Sequence, residues 1–304
     1  MAHDKTGGSL TLRRAFPAVP PSQITQEPFD SDVKHLRRLA RLQPGERAAP
    51  ADLWNYAQDL LYSDEIQGPL LTYLLPFCLD AWRHDLTGVQ SDYGGFVEWF
   101  YPALANKHIF DERLTPGQTI AVSEFMRESI LEEIDNQRGL SYSGMGARPY
   151  RWITALTTHG VLLRDVDQLW MSWWSMDTIG KAVATVQYMS CLMYRENENP
   201  IFAPWTRDGG GGPPWLWGFG GHLYNHRWLE PNIVFLRKTL SPQRVEDSLS
   251  RAVATLDGLP EHETAAMVHG DVPLCTETLV VRCAELPRLL ETTQERGKLL
   301  EWTR

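Results

Sequence analysis

His222 and His226 stand four residues apart, the spacing that sets two imidazoles on one face of a helix and lets them share a zinc ion. Zinc hydrolases built this way carry a Glu between the histidines as general base. Here the intervening residues are Leu223, Tyr224 and Asn225. A metal-dependent hydrolase using His222, His226 and nearby acids therefore stays open as an alternative that lacks its base. His262, Glu263, His269 and Asp271 gather two imidazoles and two carboxylates at spacings that match no ligand pattern. The glycine-rich run Asp208–Gly221 (DGGGGPPWLWGFGG) lacks the Lys-Ser or Lys-Thr that holds phosphate and magnesium in a P-loop. Pro213 and Pro214 break it where a dinucleotide loop would enter a helix. What remains is a loop displaying Trp215, Trp217 and Phe219, side chains of the kind that anchor protein partners.

Nucleophiles are equally sparse. No G-x-S-x-G elbow occurs, and Ser143 lies in the linker-like stretch Arg138–Pro149. Cys78 and Cys191 sit among apolar residues, where a buried, inert thiol is the ordinary outcome. No catalytic set is expected, and no cofactor.

The elements that must position these residues read as helices. The chain has 304 residues, of which 43% are hydrophobic and 22% charged, and its 12 Trp, 10 Tyr and 10 Phe demand burial or a partner. The pattern predicts helices at Asp30–Leu42, Pro50–Tyr62, Ile66–His84, Phe96–Ala105, Asp165–Asp177, Thr178–Arg195, Ser241–Leu256 and Pro287–Trp302. A Pro-rich segment, Ala15–Gln26, reads as an extended strap. The clearest helix begins at Thr115, with Pro116 at its first position and Gln118 completing a capping box. Ile120, Val122, Phe125, Met126, Ile130, Leu131 and Ile134 form its expected buried face. Glu124, Glu128, Glu132, Glu133 and Asp135 lie opposite. Trp170, Trp173 and Trp174 are spaced to fill a core. The β-branched run Glu277–Ala284 (ETLVVRCA) reads as a strand. The expected class is mainly α, admitting α+β in the C-terminal half. Its two helical domains are residues 1–140 and 150–304, the second with the Gly/Pro/Trp loop and a few strands.

Landmarks recur in the same order in the two halves. Asp52-Leu-Trp54 opens a helix, Tyr73 and Cys78 sit in an apolar one, and Phe110 to Pro116 leads into the capped helix. Asp167 to Trp170, then Tyr188 and Cys191, then Phe235 to Pro242 repeat that order. A tandem duplication would produce it, and so would chance likeness between two helical halves.

The net charge is −9, which argues against a sequence-independent grip on nucleic acid. The basic residues Lys34, His35, Arg37, Arg38 and Arg41 read as one solvated helix face. From Asp111 to Asp135 acids dominate, against Arg113 and Arg127. That run is either a solvated face or an acidic recognition surface. Residues 1–30 hold scattered charges and no apolar core of the secretory kind. The longest uncharged apolar helical stretches, Ile66–Leu79 and Ala182–Tyr194, fall short of the ~20 residues a membrane span needs. Four cysteines without a C-x-x-C fit reduced thiols. A cytoplasmic protein is expected.

Three motifs carry a resemblance: Ala15-Phe-Pro-Ala-Val-Pro20, Tyr73-Leu-Leu-Pro76, and Phe110-x-x-x-Leu114-Thr-Pro-x-Gln118-x-x-Ala121-Val122. Through them the region from Ala15 to Asn136 resembles an uncharacterised bacterial helical domain family, which supplies no catalytic residues to carry over. In character, as an acidic, Trp-rich chain without a catalytic set, the whole is similar to the cytoplasmic immunity proteins of type VI secretion and polymorphic-toxin effectors. That likeness implies a cognate toxin as partner, a nuclease above all, since an acidic surface complements a positive cleft. It implies neither nucleic acid nor membrane as a direct partner. The partner-binding residues expected are Trp215, Trp217 and Phe219 as apolar anchors, and Glu124, Glu128 and Glu132 as a steering surface. A non-catalytic adaptor of a secretion or phage-related assembly would show the same features.

Overall fold

Proline in the first turn, where its missing N–H costs nothing, starts three of the helices that organise this chain: Pro50, Pro116 and Pro242. The computed structural model describes residues 7–30, 32–43, 45–86, 96, 99–100, 103–104, 109–140, 166–194, 198–201 and 230–285. Among the described residues the structure is mainly α, with no strand. In chain order the helices are α1 (Gly7–Arg14), α2 (Lys34–Leu39), α3 (Pro50–Tyr62), α4 (Gly68–Leu86), α5 (Pro116–Asp135), α6 (Val166–Trp173), α7 (Ile179–Met193), α8 (Glu230–Thr239), α9 (Pro242–Thr255) and α10 (His262–Gly270). A further helix, α11, covers 276–285. A π-helical turn at Ile109–Arg113 precedes α5, and a 3-10 turn at Val272–Cys275 precedes α11. By internal contacts the chain divides into two units, Met1–Ile130 with Val161–Arg164 and Leu131–Gly160 with Asp165–Arg304. The division falls inside α5.

In the first unit α2 packs on α3, and α1 on α4. Leu53, Tyr56, Ala57 and Leu60 recur at helical spacing and form the buried face of α3. Two ion pairs clamp α2 to α3. Arg38 grips Asp52 through Nε, 2.9 Å from Oδ2, and through Nη2. His35 Nε2 lies 2.5 Å from Asp59 Oδ2. The basic residues of α2 are therefore not one solvated face: His35 is buried, and Arg38 is spent on Asp52. The strap before α2 is tied down by glutamines. Gln67 Oε1 accepts from the Thr25 N–H (2.8 Å), Gln67 N–H donates to Gln26 Oε1 (2.9 Å), and Gln67 Nε2 donates to the Gln23 carbonyl (2.7 Å).

The capping box of α5 forms as its sequence predicts. The Thr115 hydroxyl accepts from the Gln118 N–H, and Gln118 Oε1 accepts from the Thr115 N–H. Val122, Phe125, Met126, Ile130 and Ile134 are buried, whereas Ile120 is exposed and Leu131 half-buried. The acidic face is less open than its sequence suggests. Glu133 is buried and accepts from Gln137 Nε2 (3.0 Å), and Asp135 Oδ1 accepts from the Thr178 hydroxyl (2.8 Å).

The second unit is built around α7, which is buried along its whole length from Gly180 to Met193. Helix α9 packs on α7, α10 packs on both, and α8 packs on α6. Trp170, Trp173 and Trp174 are buried as expected, with Trp170 stacked on Trp173 at 5.3 Å and Tyr188 against all three. Ser241 caps α9 by accepting from the Arg244 N–H (3.1 Å). The expected strand Glu277–Ala284 is a correction: it lies within α11. Leu279 and Cys283, four residues apart, are buried while Val280 and Val281 are exposed, which is a helical pattern of burial. Residue propensities differ by only fractions of a kcal/mol, so packing of this one stripe decides. Arg282 secures the helix, its Nη1 donating to the carbonyls of Cys191 (2.9 Å) and Tyr194 (2.6 Å) at the end of α7.

The repeated landmarks fall on like elements. Trp54 and Trp170 lie on α3 and α6, Cys78 and Cys191 on α4 and α7, and Pro116 and Pro242 open α5 and α9. This is a shared order of helices, not a demonstrated duplication.

Gly180 marks a close backbone approach in the second unit. A Cβ there would come within 2.5 Å of the Ile134 carbonyl oxygen and closer still to the backbone of Asp135. Backbone cannot swing aside as a side-chain tip can. Gly180→Ala should cost about 1–3 kcal/mol or more in denaturant unfolding. Gly117→Ala, with open space around its Cβ, should be neutral or stabilise by up to about 1 kcal/mol. Equal effects of the two substitutions would refute this reading of the Gly180 contact.

Candidate functional site

Helix α3 buries one face and leaves another carrying large aromatic rings. Trp54 and Tyr62 lie eight residues apart, off the stripe formed by Leu53, Tyr56, Ala57 and Leu60. Tyr62 is 48% exposed and Phe29, on the strap, is 58% exposed. Their rings stack with centroids 4.6 Å apart. Trp99, half-buried, joins the array at 5.9 Å from Tyr62 and meets the half-buried Trp54 edge-on at 6.1 Å. Four aromatics, two of them open to solvent, thus form a continuous platform on the first unit. Rings of this size bury large areas in an interface and lose little conformational entropy when they do.

The platform is held from below by Asp59. Its Oδ1 accepts the Phe29 N–H at 2.8 Å while Oδ2 faces His35 Nε2. One buried carboxylate thereby fixes both the strap that carries Phe29 and the helix that carries His35. Ser63 adds a second tie, its hydroxyl donating to the Glu27 carbonyl at 2.8 Å. Burial drives the His35 imidazole toward its neutral form, but the hydrogen bond and charge of Asp59 outweigh it, and its pKa lies above the usual histidine value.

Of the residues expected to bind a partner, Glu124, Glu128 and Glu132 all lie on α5: Glu128 is exposed, Glu124 and Glu132 half-buried. Trp215, Trp217 and Phe219 lie outside the described residues, as do Ser143, His222, His226 and the helix expected at Pro287–Trp302. His262, Glu263, His269 and Asp271 fall on α10 and just after it. Asp271 is engaged by the Tyr194 hydroxyl at 2.6 Å. Among the described residues no group of three or more His, Cys, Asp or Glu is arranged to hold a metal ion, and no helix is long and apolar enough to cross a membrane.

None of the four cysteines is in a disulfide. Burial pushes the Cys78 thiol up, as it does the Tyr56 phenol beside it. Burial raises Cys283 to about 11, and burial together with the Asp271 charge raises Cys275. These thiols are protonated at neutral pH, and a protonated thiol is a poor nucleophile.

The aromatic platform was the feature that reading the sequence missed. Its signal was present: once the inward stripe of Pro50–Tyr62 is assigned, Trp54 and Tyr62 are left over on the outside. The pairing with Phe29 was not legible, because it depends on where the strap returns. Compared with family models, curated proteins and solved structures, the chain gives no match.

Because the folded chain holds the His35 proton more tightly than the unfolded chain does, this pair's stabilisation is complete below the ordinary imidazole pKa. It fades as pH rises through the higher folded-state value. Denaturant midpoints measured from about pH 5.5 to about pH 9 should therefore show a fall that His35→Gln abolishes. His35→Ala, which strands the Asp59 charge, should cost about 3 kcal/mol or more. Matching pH slopes for the wild type and His35→Gln would remove His35 from this role.

Proposed function

We propose that this protein is a cytoplasmic immunity protein that binds a cognate toxin effector of a type VI or polymorphic-toxin system and neutralises it, with a nuclease as the partner its charge favours. The observation that carries this reading is the aromatic platform, with Phe29 and Tyr62 exposed and Trp54 and Trp99 half-buried behind them, on a chain of net charge −9. A stack of aromatic rings standing in water is unfavourable for an isolated domain and useful for one that docks. An acidic protein of this kind speeds its encounter with a basic partner and repels nucleic acid. Neutralisation then needs no chemistry from the protein. It occupies the toxin's positive cleft, with Glu124 and Glu128 on α5 adding to the long-range field and the rings supplying short-range contact.

Co-expression with the toxin encoded next to its own gene tests the reading. Cells making the toxin should survive when this protein is present and die without it. Charge reversal by Glu124→Lys with Glu128→Lys should weaken protection by slowing association, about tenfold or more at low salt. Equal rates of death with and without the protein would end the proposal.

A further inference from the structure

The segments that carry Phe29, Trp54 and Tyr62, residues 15–33 and 50–65, contain no lysine or arginine. Their acids include Glu27, Asp64 and Glu65, all exposed. Hydrogen bonds hold the backbone that carries Glu27 and Glu65 close to Tyr62. The Ser63 hydroxyl binds the Glu27 carbonyl next to Tyr62, and Gln26 Nε2 reaches the Glu65 carbonyl at 3.1 Å. Of the cations on the neighbouring helices, Arg38 pairs with Asp52, Arg13 with Asp80 and Lys34 with Asp32, and the Arg83 guanidinium lies over the Phe125 ring. The result is open aromatic faces on segments that carry exposed carboxylates, with these cations engaged elsewhere.

We propose that this platform is a docking site for an arginine-bearing basic segment of a partner protein, with guanidinium groups stacked on Phe29 and Tyr62 and paired with Glu27, Asp64 and Glu65. The chemistry selects that occupant. A guanidinium is planar, weakly hydrated and permanently charged, so it lies flat on an aromatic ring while its N–H groups reach carboxylates at the edge. Lysine offers a point charge without the plane and binds less well here. A nucleic acid could stack its bases on the same rings, but its phosphates would meet the exposed carboxylates. An acidic peptide has no favourable contact at all. The inference rests on the reading that this protein works by binding a partner, and it names the surface and the chemistry of that contact.

The test uses the full chain and a labelled probe peptide of alternating Gly and Arg, followed by fluorescence anisotropy at low and moderate salt. Peptides of the same length with Lys or Glu in place of Arg, and a single-stranded oligonucleotide, serve as competitors. The Arg peptide should bind and be displaced by the Lys peptide only weakly. The Glu peptide and the oligonucleotide should not displace it. Tyr62→Leu and Phe29→Leu, which keep apolar bulk but remove the ring face, should weaken binding by about tenfold. Asp64→Asn with Glu65→Gln should weaken it and flatten its salt dependence. Circular dichroism melts of each variant separate lost binding from lost folding. Binding of the Glu peptide as tight as that of the Arg peptide, unchanged binding in folded Tyr62→Leu and Phe29→Leu, or displacement by the oligonucleotide would each overturn the proposal. If the Arg peptide fails while co-expression still protects cells, this surface is wrong and the neutralising reading stands. If the peptide binds through the rings and protection fails, the surface stands and the neutralising reading falls.

Discussion

One buried carboxylate organises the first unit. Asp59 receives the Phe29 N–H on one oxygen and faces His35 on the other, with both side chains of the pair almost fully removed from water. A charge in that position is tolerable only because both oxygens are partnered. Each partner comes from a different stretch of chain, one from the strap and one from α2. The carboxylate therefore acts as a junction: α3 cannot keep Asp59 buried unless the strap and α2 are both in place. Arg38 and Asp52 repeat the arrangement nearer the surface, so α2 is pinned at two points along its length.

The second unit solves a different problem by shape. Helix α7 is buried on every side, so its small residues matter as much as its large ones. Gly180 lets the start of α7 press against the end of α5, and Thr178 closes that junction with Asp135 while capping the helix. At the other end Arg282 satisfies carbonyls that the helix leaves open. Gly139, at a positive φ that favours glycine, turns the chain so that its N–H meets Glu261 and its carbonyl meets Gln187.

What the sequence made legible was local chemistry. Pro50, Thr115 with Gln118, and Ser241 with Pro242 each announce a helix start, and each does start one. Spacing alone identified the tryptophans of α6 as core. Legibility ended where distant segments decide the outcome. Val280 and Val281 favour a strand in isolation, yet the fold buries Leu279 and Cys283 and leaves Val281 exposed, which a helix allows and a strand, with all three on one face, does not. Glu133 and Asp135 looked like solvent-facing charge until Gln137 and Thr178 closed on them. His35 looked like part of a basic surface because its partner lies on the next helix. The candidate site shows the same limit. Trp54 and Tyr62 could be read as outward-facing, but the stacking of Phe29 on Tyr62 needs the return path of a strap whose course is set by Gln67 and Asp59.

Helix α3 keeps its two duties on separate faces. Leu53, Tyr56, Ala57 and Leu60 hold the core, while Trp54 and Tyr62 face away from it. Substitutions on the outward stripe leave the core contacts of α3 in place, so the chemistry of this surface can change without a change of architecture. Helix α7, buried from Gly180 to Met193, has no outward stripe and no such freedom.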